Sequence, residues 1–122
     1  MAHKFKLTPA ANGQFKFAFV YNAEAIVWSE NYTAKASAKS AIESLRAHAP
    51  DAPTVDLTKD ETGTGYRFEI AGSRDGQYFV RFVASNGEAM VRSETYKARA
   101  SAKNAIASVK KNGPGAALVD EA

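Results

Sequence analysis

Cysteine is absent from the chain. That removes disulfide frameworks, thiolate zinc sites and cysteine nucleophiles together, and it predicts a reducing compartment. Histidine occurs only as His3 and His48, and neither has a spaced His, Asp or Glu partner of the kind that holds a metal. No apolar run approaches the roughly 20 residues needed to span a bilayer as a helix. Met1-Ala2-His3-Lys4 leads straight into an alternating pattern with no signal-peptide core between, so a cytoplasmic protein is expected. An excess of charge is also nearly missing: 16 Lys and Arg stand against 13 Asp and Glu, a formal +3. Through residue 65 the two signs balance, so the excess lies in the second half. So small a basic surplus does not by itself mark a polyanion binder.

What the chain does contain is itself twice. Ser93-Glu94-Thr95-Tyr96 and the run Ala100-Ser101-Ala102-Lys103 to Ala105-Ile106-Ala107-Ser108 repeat Ser29-Glu30-Asn31-Tyr32 and Ala36-Ser37-Ala38-Lys39 to Ala41-Ile42-Glu43-Ser44 at a constant offset of 64. A repeat of this period is read before any other feature. With 122 residues and 45% hydrophobic content, the chain suffices for one core and is short for two independent ones. One duplicated domain spanning 1–122 is expected, with repeats at 3–58 and 66–120 and a linker at 59–65.

Phe5 and Leu7 alternate with Lys4 and Lys6, the period of a half-buried strand. Asn12-Gly13 signals a hairpin into a second strand, where Phe15, Phe17 and Phe19 share one face. A turn at Asn22-Ala23 leads into a third strand, Glu24 to Ser29. Ser37 is the expected helix N-cap, and Ala38, Ala41, Ile42 and Leu45 form the apolar stripe. Pro50 and Pro53 end the helix, and Thr54–Thr58 reads as a fourth strand. The second repeat retraces this route through Tyr66/Phe68/Ile70, the Asp75-Gly76 hairpin, Tyr78/Val80/Phe82 and the Asn86-Gly87 turn. Ser101 is its expected cap, and Ala102, Ala105, Ile106 and Val109 its stripe. Gly113 is placed to take a left-handed stop, and Ala116–Asp120 forms the last strand. Phe5 to Phe68 is a step of 63 but Asn22 to Asn86 one of 64, so a residue is missing around Val20 and Tyr21. Ala23 stands where the second copy has Gly87, which predicts a strained or different turn. The fold class that follows is α+β: a tandem duplication of a β-β-β-α-β unit, its antiparallel meanders assembled around one shared sheet with one packed helix per repeat.

Ala84-Ser85-Asn86-Gly87-Glu88, Ser93-Glu94-Thr95-Tyr96 and Ala105-Ile106-Ala107-Ser108-Val109-Lys110-Lys111-Asn112 together resemble the YegP-like family of small bacterial proteins of unknown function. The first copy departs from it, ending Leu45-Arg46-Ala47-His48, and Ala41 and Ala105 stand where the family often has Gly. The resemblance implies that the last strand of each unit is exchanged into the other half. Single-repeat members are then expected to dimerise, and this covalent duplication to serve as a monomer. No reaction, cofactor or substrate comes with the resemblance.

Candidate chemistry is sparse. Glu30 and Glu94 beside Tyr32 and Tyr96 lack an opposing acid–base partner, so the Ser-Glu-x-Tyr phrase reads as a strand-to-helix corner, its carboxylates bonding backbone amides or the following basic residues. Ser29 and Ser93 have no positioned base. No catalytic, metal or cofactor residues are assigned. The surface to test is the outward row of the sheet, where Arg67, Phe79, Arg81 and Arg92 face away from the core with Trp28, Lys4, Lys6 and Lys16 as counterparts. Basic residues interleaved with aromatics can hold phosphates and stack bases, although Glu69 interrupts the row. The expected function is that of a non-enzymatic accessory module binding a macromolecule, a protein among the candidates. The alternative is a weak single-stranded nucleic-acid binder acting through Trp28, Arg67, Phe79, Arg81 and Arg92. No membrane partner is expected.

Overall fold

The computed structural model describes residues 3–22 and 24–122. Three strands open the first repeat: β1 (Lys4–Pro9), β2 (Phe15–Tyr21) and β3 (Glu24–Ser29). Helix α1 (Lys35–His48) and the short β4 (Thr54–Asp56) complete it. The second repeat supplies β5 (Arg67–Gly72), β6 (Tyr78–Val83), β7 (Ala89–Arg92), α2 (Arg99–Asn112) and β8 (Ala117–Asp120). All eight strands join one sheet in the order β4-β5-β6-β7-β3-β2-β1-β8.

The last strand of each repeat lies against the first strand of the other. β4 runs parallel to β5 and β8 parallel to β1, while every other pairing is antiparallel. Hairpins make the antiparallel pairs within each repeat, and the antiparallel β3–β7 pair joins the two repeats. Helix α1 carries the chain from β3 to β4 and α2 from β7 to β8, each crossing to the far edge of the other repeat, where the last strand lies parallel to that repeat's first. Both helices cover the same face of the sheet. Ala38, Ala41, Ile42 and Leu45 of α1, and Ala102, Ala105, Ile106 and Val109 of α2, are buried against Phe5, Leu7, Phe17, Phe19, Phe68, Ile70, Val80 and Phe82. Small alanines let each helix sit close while the sheet supplies the large rings.

The exchanged strands are held by ion pairs that recur at the repeat offset. Arg99 Nε, in the first turn of α2, lies 2.8 Å from Asp56 Oδ2 on β4, and Lys35 Nζ, in the first turn of α1, lies 3.4 Å from Asp120 Oδ1 on β8. These contacts account for a correction at both helix starts. The helices begin two residues before the expected caps Ser37 and Ser101, and Ala34 and Ala98 occupy the cap positions without side-chain bonds. The side chains of Lys35 and Arg99 tie the first turns to the exchanged strands in place of a hydroxyl cap. Burial pushes the Asp56 carboxyl up, but bonds from the Thr58 hydroxyl and amide and the charge of Arg99 outweigh it and hold the group below its ordinary range.

Three further expectations shift. Gly113 is right-handed at φ −57°, and glycine is needed there because a Cβ would stand 2.6 Å from the Val109 carbonyl oxygen. β4 stops at Asp56, whose side chain accepts from Thr58 N–H and turns residues 57–59 into a 3-10 turn. The residue missing from the first repeat is lost in the turn after β2: one residue fewer lies between the paired Val20 and Ala25 than between Val83 and Ala89, while both copies shift register at the same point of the strand. Ala23, the position expected to carry strain there, lies outside the described residues; Asn22 before it has φ 53°.

The residues read as a linker are tied down. The Glu61 carboxylate accepts from Asp56 N–H at 2.9 Å, Glu61 N–H donates to the Asp56 carbonyl, and Gly63 passes so close to Val55 that a Cβ there would meet its Cγ2 at 2.6 Å.

Candidate functional site

The face of the sheet that the helices leave uncovered carries the candidate residues, and strand register sets their order. One row crosses all eight strands: Val55, Glu69, Arg81, Arg92, Trp28, Ala18, Lys6 and Val119 are successive cross-strand partners. Its centre is the Arg92–Trp28 pair, where β7 meets β3 and where the two repeats meet. Arg92 and Trp28 are themselves equivalent residues, 64 apart. β3 and β7 pair through only Trp28↔Arg92 and Ser29↔Val91 before they diverge. A groove of about 360 Å³ opens there, with Trp28, Glu30, Phe79, Arg81, Met90 and Arg92 among its lining residues. A second hollow of about 350 Å³ lies on the other side of Trp28, against Thr8, Lys16 and Ala18.

The row of arginines is not equally available. Arg67 Nε is 2.8 Å and Arg81 Nε 2.7 Å from the two oxygens of Glu69, whose side chain is 8% exposed. Glu69 therefore lies on the outward face, as expected, but is enclosed by its two guanidinium partners. Burial pushes its carboxyl up, and the bonds from Arg81 and Arg67 more than reverse that, leaving it below the ordinary value of 4.5. Two of the candidate binding arginines thus already have an anion. Arg92 differs. Among the described residues its guanidinium meets no carboxylate; it lies 4.7 Å over the Phe79 ring, with Arg81 at 5.9 Å from the same ring. Like charges directly opposite on neighbouring strands repel, and the turn of Arg81 toward Glu69 relieves that repulsion.

The Ser-Glu-x-Tyr phrase has the same structure in both copies. The Ser29 hydroxyl accepts the Phe17 N–H at 2.9 Å and donates to the Glu30 carbonyl; Ser93 does the same for Val80 N–H, at 2.8 Å, and the Glu94 carbonyl. Three residues on, Tyr32 and Tyr96 return to bridge Phe15 and Tyr78 through paired backbone bonds. The serine fills the ladder where the register breaks, and the tyrosine closes it. Burial first, then the Glu30 and Glu88 charges, pushes the Tyr32 phenol up; burial and Glu94 do the same for Tyr96. Both phenols therefore stay protonated at neutral pH. The expectation that Glu30 and Glu94 bond nearby amides or basic side chains is not met: both residues are exposed, and no such bond is present among the described residues. Removing the buried Ser93 hydroxyl leaves Val80 N–H without its acceptor, so Ser93→Ala is expected to cost about 1–3 kcal/mol in urea unfolding. Glu94→Ala, at an exposed side chain, is expected within about 0.5 kcal/mol of wild type.

Of the surface residues singled out from the sequence, the groove brings together Trp28, Phe79, Arg81 and Arg92 but not Arg67, and it adds Met90 and Glu30, the latter weighed from the sequence only as part of the Ser-Glu-x-Tyr corner. Their signal is the meeting of β3 and β7, a pairing between repeats that no hairpin marks. His3 and His48 take no part; they stack on Tyr21 at 4.3 Å and Tyr66 at 3.8 Å. Among the described residues no group of three His, Cys, Asp or Glu side chains could hold a metal ion, and no helix is long and apolar enough to cross a membrane.

Comparison with known proteins places this architecture among relatives. The family described as a domain of unknown function, DUF1508, matches residues 10–56 and again 73–120. A UPF0339 protein of Pseudomonas aeruginosa is 36% identical over 122 residues, 99% of each chain. A UPF0339 protein of Agrobacterium fabrum is 55% identical over 56 residues, 46% of this chain but 90% of its own, the length of a single repeat. The solution structure of the Escherichia coli protein of unknown function yegP superposes with a TM-score of 0.78 at 30% identity, covering 98% of this chain and 93% of that one.

Proposed function

The chain belongs to the DUF1508 family, with two copies of its domain of unknown function, and from that premise we propose that it is a non-enzymatic module that binds a macromolecular partner on the uncovered face of its sheet. The observation that carries this reading is the groove at the repeat junction, where Trp28, Phe79 and Met90 present apolar surface beside the unneutralised Arg92. Large aromatics next to an arginine are the composition of binding hot spots. The reading is non-catalytic because the polar groups of the Ser-Glu-x-Tyr corners are committed to backbone bonds or lie open to solvent. The lack of cysteine supports a cytoplasmic setting.

One arrangement favours single-stranded nucleic acid as the partner. Arg92 lies beside Trp28 and over Phe79, and Lys16 flanks Trp28 on its far side. Rings for stacking alternate there with cations for phosphate. Titration of the Trp28 fluorescence with short single-stranded RNA and DNA is expected to quench the signal at low salt, with affinity falling as salt rises. Arg92→Ala is expected to weaken binding about tenfold, and Arg67→Ala to change it little because Arg67 serves Glu69. No binding at either salt, checked with a label on the oligonucleotide, would discard nucleic acid and leave a protein partner as the reading to pursue.

A further inference from the structure

The sheet has two edges, β4 and β8, related by the repeat, and they are protected unequally. In a parallel pair, alternate residues of a strand bond to the neighbour and those between turn their N–H and C=O outward. On β4, Phe68 N–H bonds to the Pro53 carbonyl, so Thr54 and Asp56 face out. Glu61 covers Asp56 on both counts, its carboxylate accepting the amide proton and its own amide donating to the carbonyl. On β8, Glu121 N–H bonds to the Leu7 carbonyl, so Leu118 and Asp120 face out. Among the described residues nothing bonds to the backbone N–H or C=O of either. Leu118, 36% exposed, is also the only large apolar side chain classed as exposed among the described residues. An open edge with an apolar side chain is a template for another strand.

We propose that β8 is a self-association edge that pairs antiparallel with β8 of a second copy of this chain. One register satisfies every outward group. With the two-fold axis at Val119, Leu118 and Asp120 of one copy exchange both backbone bonds with Asp120 and Leu118 of the other, giving four bonds in all, while the two Val119 side chains meet at the close, non-hydrogen-bonded position. The charges permit it. Asp120 is already neutralised by Lys35 and Lys39, each at 3.4 Å, Glu121 lies 3.8 Å from Lys6, and Leu118 rather than a like charge stands opposite Asp120. The two-fold pairing uses the same edge on both copies and leaves no free β8, and on β4 Glu61 covers Asp56 and leaves only Thr54 outward, so the association closes as a dimer and does not run on into a fibre. An edge of four residues is small beside the about 1,200–2,000 Å² of a stable complex, so a weak association is expected, with a Kd of about 0.1–1 mM. The duplication satisfies strand exchange within one chain, and this weaker contact is added to it.

Sedimentation equilibrium of the full chain up to about 2 mM tests the proposal. The weight-average mass is expected to rise from 13.1 kDa toward twice that value and no further. Leu118→Pro removes an outward N–H without touching the ladder to β1, and Val119→Glu sets a carboxylate beside Lys6 within the chain but against itself across the axis. Each is expected to weaken association at least tenfold. Amide NMR spectra at low concentration check that the variants are folded, and Val119→Glu decides the matter if Leu118→Pro is not. A mass that stays at 13.1 kDa, one that passes twice that value, or a dimer that survives the folded variants overturns the proposal.

Discussion

Cut at the linker, the second repeat alone, residues 65–122, is expected to show the circular dichroism of an unfolded chain at about 1 µM and to regain helix and sheet only as its concentration rises or residues 1–64 are added. The reason is strand exchange. β5 loses β4 from one side, β8 has no β1 to lie against, and Arg99 loses Asp56. Ala49 and Ala52, buried in the common core, sit in the first repeat but pack where α2 crosses, and Tyr66 of the second repeat stacks on His48 of the first. A short link holds two halves at an effective concentration of about millimolar. Separating them at about 1 µM forfeits a factor of about 10³, or about 4 kcal/mol. Total stability for a chain of this size is about 5–15 kcal/mol, so the loss takes much of it, and each half also faces the small-core penalty. At higher concentration two copies of the fragment are expected to put β8 of one beside β5 of the other and fold as a dimer. The Agrobacterium fabrum relative matches over 56 residues, the length of such a fragment. A fragment that folds as a monomer at about 1 µM would show that exchange is dispensable.

Much of this fold was legible because apolar periodicity reports burial directly. Phe5/Leu7, Phe17/Phe19, Phe68/Ile70 and Val80/Phe82 alternate, and each helix stripe falls at three- and four-residue spacing; all of these residues are buried. Hairpin residues placed the turns, with Asn12 and Gly13 both left-handed. The helix starts fall two residues before the serines because long-range ion pairs, and not hydroxyl caps, anchor the first turns. The long-range anchors were present in the sequence as Lys35/Arg99 and Asp56/Asp120, both 64 apart, and the repeat that revealed the fold also marked them. At the candidate site the outward face was legible, but the state of its charges was not. Glu69 shares a face with Arg67 by the two-residue period of β5, but that it stands opposite Arg81 follows from the register of the β5–β6 hairpin, which a one-residue slip would have changed. The groove depends on β3 lying beside β7, a contact across the repeat axis that leaves no local pattern.

The Arg67–Glu69–Arg81 cluster carries the second large effect. Glu69→Ala leaves two guanidinium groups facing each other with no anion, Arg67 with only 14% of its side chain exposed. Breaking a fully buried pair costs about 3–5 kcal/mol. Arg81 keeps 34% of its side chain in solvent and is partly screened, so about 2–3 kcal/mol is expected here, read as a lower urea midpoint with unchanged slope. pH separates charge from packing. The folded carboxyl lies below its ordinary value of 4.5, because bonds from Arg81 and Arg67 outweigh burial. Its contribution is thus complete well above pH 4.5 and is lost as pH falls through the folded value, where the native state must take up the proton. Glu69→Gln keeps the shape and some hydrogen bonding without the charge. Its stability is expected to be lower than wild type at pH 7 and to converge toward it as pH falls below about 4.5. Asp56, also held low, continues to titrate in both proteins, so it is the difference between the two curves that isolates Glu69. A wild-type minus Glu69→Gln difference that is flat across this range would show that the cluster holds by packing alone. Arg81 would then be electrostatically as open as Arg92, and the groove would present two available cations in place of one.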